Sequence, residues 1–415
     1  MMTKQEPPAT GVLVVGGGAA GLVAGTEAAY GGAEVLVLER GSQAGVKILM
    51  SGGGHCNVTT SLSPREGARH FGEAERWLRP ALRAVTPELL RSWLREEGVE
   101  TYEAEFDKVW PVSMKARDVR DALLRRLEKS GARLRYGLRL RGLQRATCGA
   151  WSLLAESGES FLAERVVLAT GGLSYPQTGT EGDGFAMLES LGVELRPRVP
   201  ALAPLASDAA WVGELSGLTL EGCEVQLREA SGKIAWRRRR PLLFTHKGVS
   251  GPGPMDASSR IERMPGRYRF FVDLLPERSE EELRVALFAQ GGKLASPLRA
   301  LGLPKRLVWR ILDLLGLAVV DAAQVPKAKR RALAATLKGL EIPVTGSLGF
   351  GHAELTAGGV PLDAVDPRSM ELRAQPGLHV CGELLDADGP IGGFSFWQAF
   401  ATGALAGRAA AAALC

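Results

Sequence analysis

The chain is poor in the features that secreted, metal-stapled or membrane proteins depend on. Its 415 residues include five cysteines, an odd number, at 56, 148, 223, 381 and 415, with no C-x-x-C pair. Neither a disulfide framework nor a structural metal site is expected, and a reducing compartment fits best. No uninterrupted apolar run reaches the roughly 18 residues that a membrane-spanning helix needs. The apolar stretch after Thr10 looks like a secretory leader until its composition is read: residues 11–25 contain six glycines, and Glu27 follows. A cytoplasmic protein is therefore expected. Aromatic residues make up only 6%, and there is no internal repeat or low-complexity linker. Charge of one sign is not concentrated either: 51 Lys and Arg face 46 Asp and Glu. A spread excess of this kind carries no signal of a nucleic-acid partner.

Glycine is what the chain has in abundance, with 52 residues. Because glycine lets backbone approach a ligand closely, this content predicts tight loops around something bound. The length suits two or three domains. Residues 11–15 (GVLVV) read as a buried parallel strand, 19–30 as a helix and 34–38 as a second strand, together a βαβ unit. Thr86 and Pro87 start a helix over 86–97, and a further helix covers 115–129. Strands follow to residue 170, then irregular β over 193–275, helices over 279–340 and a closing helix at 395–413. The fold class is α/β, a Rossmann-like dinucleotide-binding domain interrupted by an insertion. Its expected parts are 1–190 and 343–415 for the binding domain, 191–278 for a β-rich insert and 279–342 for a helical subdomain.

The strongest motif is Gly16-x-Gly18-x-x-Gly21, placed between a strand and a helix. Gly16 makes the tight turn, Gly18 admits a pyrophosphate, and Gly21 lets helix pack on strand. The helix N-terminus presents N–H groups to the anion. Glu39 ends the second strand, where a carboxylate can hold a ribose diol and disfavours a 2′-phosphate. FAD is favoured over NAD because two later glycine loops, Ala169-Thr170-Gly171-Gly172 and Gly382-Glu-Leu-Leu-Asp386, can meet its flavin half. No second G-x-G-x-x-G occurs, so NAD(P)H, the expected electron donor, would visit the flavin transiently.

Longer motifs point to a family. Lys47-x-Leu49-x-Ser51-Gly-Gly-Gly-His55-Cys56-Asn57 resembles the signature loop of the BaiN-type (YhiN-like) flavoproteins of the glutathione-reductase-like superfamily. Ser174-Tyr-Pro, Leu243-Phe-Thr-His, Thr356-Ala-Gly-Gly-Val360 and Cys381-Gly-Glu-Leu-Leu-Asp386 extend the resemblance over about residues 11 to 410. It implies a discontinuous FAD domain with an inserted β-barrel and a small helical domain, and FAD-dependent reduction of conjugated enones. It also implies site residues. Gly16, Gly18, Ala19, Ala20 and Gly21 would meet the pyrophosphate; Glu39, Arg40 and Lys47 the adenosine half; and the Leu140 backbone the adenine. Gly382 and Asp386 would hold the ribityl region, with Gly392, Gly393 and Phe394 beside the flavin ring. Ser51, Asn57, Thr170 and Gly171 complete the candidate cofactor set, and no metal is implied. Reduced flavin gathers negative charge at N1 and O2, where the N-terminus of the closing helix would stabilise it. The chain departs from the family pattern at His55, Phe394, Ser395 and Trp397.

Catalytic candidates are few. Cys56 beside His55 could be a redox thiol, though a small buried filler is the simpler reading. Tyr175, His246 and His352 are possible proton donors to a reduced substrate carbon. Trp236-Arg-Arg-Arg-Arg240 reads as a solvated strand end, and Lys327, Lys329, Arg330 and Arg331 as one exposed helix face. The expected function is hydride transfer from NAD(P)H through flavin to an organic acceptor, with a small-molecule substrate and neither nucleic acid nor membrane as partner. An RNA-modifying flavoprotein and a non-enzymatic flavin redox sensor are the alternatives.

Overall fold

The computed structural model describes residues 10–289 and 291–414, so Cys415 and residues 1–9 lie outside the described residues. The chain forms two compact units. One runs to Pro200 and resumes at Ala353, and the other is Ala201–His352.

The first unit is built on a sheet in which Arg133–Arg135, Val35–Leu38, Thr10–Val15 and Ser160–Leu168 lie side by side, all parallel. Leu378–Val380 joins the far side of Ser160–Leu168, again parallel. Trp151–Ala155 and then Leu140–Arg145 extend the sheet antiparallel from the other end of that long strand. Val12, Leu13, Val14 and Val35 to Leu38 are all buried. Such unbroken apolar strands are what a sheet covered on both faces requires. The helices Ala19–Tyr30 and Phe394–Ala412 pack directly on each other. A Cβ at Gly403 or Gly407 would strike the carbonyl oxygens of Ala20 and Ala24, so the two helices meet backbone to backbone. That close approach explains the alanine and glycine content of the closing helix.

The second unit has its own core. Its strands form two open sheets, ordered Thr219–Leu220, Leu242–Thr245, Gly248–Ser250, Leu205–Ala206, Gly346–Ser347 and Ile234–Arg239, Glu224–Arg228, Arg269–Asp273, Leu340–Ile342. Among the described residues no closed barrel forms, which corrects the barrel implied by the family resemblance. The strands are two to six residues long, and the outer one ends in arginines. Short charged edges protect an open sheet without closure. Helices Glu280–Phe288, Lys305–Leu314 and Lys327–Lys338 bury Leu283, Leu307, Ile311, Leu333 and Leu337 in the same core as Val225, Phe270 and Ile342.

In the arginine run at 237–240, Arg238 and Arg239 are paired with carboxylates. Arg238 Nε lies 2.9 Å from the buried Asp256 carboxylate, and Arg239 pairs with Glu277. No described helix is long and apolar enough to cross a membrane.

Candidate functional site

Strand register creates the site. Val15 sits beside both Leu38 and Leu168, and Leu168 beside Val380. Gly16, Glu39, Ala169 and Cys381 therefore leave the sheet at one level. The crevice outside the carboxyl ends of parallel strands is where open α/β sheets bind ligands.

Gly16 turns the chain at φ +104°, and a Cβ there would lie 2.5 Å from the Ala169 carbonyl oxygen. At Gly21 a Cβ would overlap the Gly16 carbonyl oxygen, which lets the helix start tight against the turn. The helix has Gly18 as N-cap, no side-chain cap and no acidic residue in its first turn. Its first amides, including those of Ala19 and Ala20, are the groups an anion would satisfy. Beside Gly18 a Cβ would meet nothing within 4 Å, so the space over the turn is open.

Glu39 braces this turn: its carboxylate accepts from the amides of Gly17 at 2.8 Å and Gly41 at 2.7 Å. Each carboxylate oxygen keeps a further lone pair for a ribose hydroxyl. Leu138 N–H donates to Glu39 O at 3.0 Å and Gly137 N–H to Gly41 O at 3.0 Å, which brings the segment before Leu140 alongside. Arg40 and Arg139 share Glu181 and Asp183 at 2.6–3.1 Å, a four-charge rim of which only Arg40 is among the residues the sequence nominates.

The other half of the crevice is made by the C-terminal segment. Gly382 has φ +68°, and a Cβ on it would come 2.9 Å from the Ala20 Cβ, so this loop touches the first turn of the Ala19–Tyr30 helix. Its amide donates to Thr402 Oγ1 and its carbonyl accepts from Gln398 Nε2, both at 3.0 Å. Asp386 accepts from the Gly358 amide at 3.0 Å, tying in the Thr356-Ala-Gly-Gly motif. The closing helix begins at Gly393, whose backbone lies against Thr59, and it also lacks a side-chain cap and first-turn acid. Phe394 meets His70 at a tilt and Phe71 edge to face, with ring centroids 4.9 and 5.9 Å away. Gly392 just ahead of it has φ +134°.

Three hydroxyls here, Thr59 Oγ1, Thr170 Oγ1 and Ser395 Oγ, are buried without a hydrogen-bond partner. Buried polar groups left open in this way call for a missing partner. Gly171 follows Thr170 at φ +76°.

Lys47 pairs with the C-terminal segment. Its ammonium bonds Ser174 Oγ at 2.5 Å and the Glu383 carboxylate. Glu383 in turn accepts from the Thr356 amide at 2.9 Å and from the Ser174 hydroxyl. The resemblance put Lys47 on the adenosine half, whereas its charge is drawn to the carboxylate next to Gly382. Glu383 itself went unnoticed, although it follows a strand-ending residue and a glycine much as Glu39 follows the second strand. Ser51 and Asn57 are used locally: Ser51 Oγ donates to Ile48 O at 2.7 Å, and Asn57 Oδ1 accepts from the Val109 amide at 3.2 Å.

The loop holding Cys56 runs left-handed, with φ of +54°, +66° and +89° at Gly52, Gly53 and Gly54, which glycine adopts freely, and +60° at Cys56. The thiol is fully buried, and burial pushes it up to about 12. It is protonated at neutral pH, so the low-pKa redox reading lacks its physical basis. Alkylation of native protein at neutral pH should modify the exposed Cys148 and spare Cys56, Cys223 and Cys381, read by peptide mass mapping; rapid modification of Cys56 would contradict this.

His246 and His352 are exposed and belong to the other unit. Tyr175 is different: it follows Ser174 of the Lys47–Glu383 cluster and is held at φ +50°. Burial and the nearby Glu354 push its phenol above the usual tyrosine range.

The family described as HI0933-like protein Rossmann domain matches residues 10–409. The ribosomal RNA dihydrouridine synthase of Escherichia coli (strain K12) is 31% identical over 391 residues, covering 94% of this chain and 95% of that protein. The 3-dehydro-bile acid delta(4,6)-reductase of Clostridium scindens is 31% identical over 417 residues, covering 96% and 98%. The 3-ketosteroid-delta4-(5alpha)-dehydrogenase of Rhodococcus jostii RHA1 shares the fold, with a TM-score of 0.51 at 20% identity, covering 99% and 98%.

Proposed function

The chain belongs to the HI0933-like family, and from that premise we propose that it is an FAD-dependent oxidoreductase that reduces a carbon–carbon double bond conjugated to a carbonyl. One observation carries the reading. Two uncapped helix N-termini, at Gly18 and Gly393, belong to helices packed on each other, and the Gly382 loop touches Ala20 of one and bonds Gln398 and Thr402 of the other. A long dinucleotide with a pyrophosphate at one point and an electron-rich ring at another fits that pair.

The residues present fit FAD. Gly16, Gly18, Ala19, Ala20 and Gly21 would hold the pyrophosphate, Glu39 a ribose, and Arg40 with the Leu140 backbone the adenosine end. Thr170, Gly171, Gly382 and Asp386 would hold the middle, and Gly392, Gly393 and Phe394 the ring. The unpartnered hydroxyls of Thr59, Thr170 and Ser395 are the groups it would satisfy. When bound, FAD supplies a two-electron carrier able to take hydride from NADH or NADPH and pass it on.

The protein's own task is to bind, orient and protonate. Reducing a conjugated double bond adds hydride to one carbon and a proton to its neighbour. Tyr175 is the proposed donor: it follows Ser174 in the Lys47–Glu383 cluster, is held at φ +50°, and carries a phenol that is protonated at neutral pH. Tyr175→Phe should slow oxidation of the reduced protein by its acceptor by about a hundredfold, while reduction by nicotinamide stays unchanged. Anaerobic stopped-flow absorbance of the two half-reactions measures both, and equal slowing of both would remove Tyr175 from the donor role.

The relatives' names describe one chemistry in two settings. A bile-acid enone and the uracil ring of RNA each present a double bond conjugated to a carbonyl. A second reading, with an RNA base as acceptor, is favoured by the charge partition. Residues 201–352 contain 23 Lys and Arg against 15 Asp and Glu, while the rest of the chain has 28 against 31. The whole basic excess therefore sits in the inserted unit. The expectation that nucleic acid is not a partner finds no support among these relatives and is withdrawn.

A further inference from the structure

We infer that the cleft between helix Glu280–Phe288 and the start of helix Lys327–Lys338 is a docking site for single-stranded RNA; the inference rests on the RNA reading of the acceptor. The cleft is open, holds about 560 Å³, and is lined by Arg284, Val285, Phe288, Val325, Lys327 and Arg330. Its volume lies in the range of small-ligand sites.

Arg284 is paired with Glu281 at 2.7 Å, but the rest of the basic charge is not used up internally. Lys327 and Arg331 are exposed, one helical turn apart, and among the described residues neither has an acidic partner within ion-pair distance. Lys327, Lys329, Arg330 and Arg331 crowd the first turns of a helix with no acidic residue in its first turn and no side-chain cap. Cations at that end oppose the helix dipole and each other. An arrangement unfavourable to the free protein becomes favourable once polyanion lies across it. The arginines at 238 and 239 make the contrast, since Asp256 and Glu277 already neutralise them.

The cleft also carries a surface for bases. Arg330 lies over the Phe288 ring, 4.8 Å from its centroid. Its guanidinium is fixed by the carbonyls of Val325 at 2.8 Å, Ala322 at 3.3 Å and Ala323 at 3.2 Å. A planar cation held rigid on an aromatic ring offers a face on which an unpaired base stacks. Val285, 61% exposed, supplies apolar floor beside it. Phosphates on Lys327 and Arg331 with a base on the Arg330–Phe288 pair is a single-strand mode of recognition; a duplex buries its base faces.

The test is fluorescence anisotropy of a labelled, uridine-rich single-stranded RNA on the full chain. With about three phosphate contacts, affinity should fall roughly 20-fold between about 50 and 200 mM salt. The double variant Lys327→Ala/Arg331→Ala should weaken binding about tenfold at low salt and flatten the salt slope by about 1.4. Arg330→Lys, which keeps the charge and loses the plane, should also weaken it several-fold, whereas Arg237→Ala on the outer strand should not. Thermal melting of the double variant should match the parent, because both side chains are exposed. If the parent binds RNA and these cleft variants bind equally well, the cleft is overturned and the RNA reading stands. If the parent binds no RNA, the RNA reading itself fails. If poly-glutamate displaces the RNA as readily as unlabelled RNA does, the surface serves an acidic protein and the inference is overturned.

Discussion

Replacing Gly18 by valine should yield a folded protein that no longer retains FAD. The Gly18 backbone, at φ −79° and ψ −171°, is open to any L-residue, and a Cβ there would meet nothing within 4 Å. The cost to folding is that of a poorer N-cap, about 1 kcal/mol. The space the side chain enters is the one a pyrophosphate needs to reach the helix amides. Affinity for FAD should fall by about a hundredfold or more, close to 2.7 kcal/mol. Equilibrium dialysis for FAD beside thermal melting of the apoprotein separates the two effects. Gly21→Val makes the contrasting case: its side chain would overlap the Gly16 carbonyl, so stability and binding should fall together. Unchanged FAD retention in Gly18→Val would remove the turn from the cofactor site.

Trp397→Ala should be strongly destabilising. The indole is fully buried, its Nε1 donates to Val85 O at 2.6 Å, and its ring fills the space beside Gly67, where even a Cβ would clash. Removing a buried aromatic of this size costs about 3–5 kcal/mol, and the stranded Val85 carbonyl adds about 1–3 kcal/mol. Against a typical total of about 5–15 kcal/mol, that is a large share of the stability. The urea midpoint measures it. Trp397→Phe should recover part of the packing and none of the hydrogen bond. A midpoint equal to the parent's for Trp397→Ala would mean that the closing helix is not anchored through this residue. Trp397 is a packing residue of the helix that supports the Gly382 loop.

Much of the first unit was readable in the chain because its signals are local. The run GVLVV, the three spaced glycines and Glu39 after the next apolar run define a strand, a turn, a helix and a strand within thirty residues. Thr86 and Pro87 likewise mark the start of a helix observed at Pro87–Glu96, with the Thr86 hydroxyl accepting from the Leu89 amide at 3.2 Å. What escaped was set by pairings between distant segments. Lys47 meets Glu383 across 336 positions of sequence, and no local pattern records that an ammonium will choose that carboxylate over Glu39. Arg139 joins Arg40 only because the segment at 137–138 bonds back to Glu39 and Gly41. The open sheets of the inserted unit were hidden for a related reason: strands of two to six residues carry almost no periodicity, and pairing order alone separates an open sheet from a barrel. Cys56 shows the limit for chemistry. Its neighbour His55 suggests an activated thiol and its glycine loop a buried filler; burial sets the thiol's protonation and decides for the filler.

The measurement that tests the central claim most directly is anaerobic mixing of the reduced, FAD-loaded protein with a conjugated enone acid, a uridine-containing RNA and a saturated analogue of the enone. The flavin absorbance should return at least about a hundredfold faster with one of the two unsaturated acceptors than with the saturated one, and that acceptor should gain two hydrogens by mass. Return of the band at the same rate with all three, or not at all, would contradict the assignment as a reductase of conjugated double bonds.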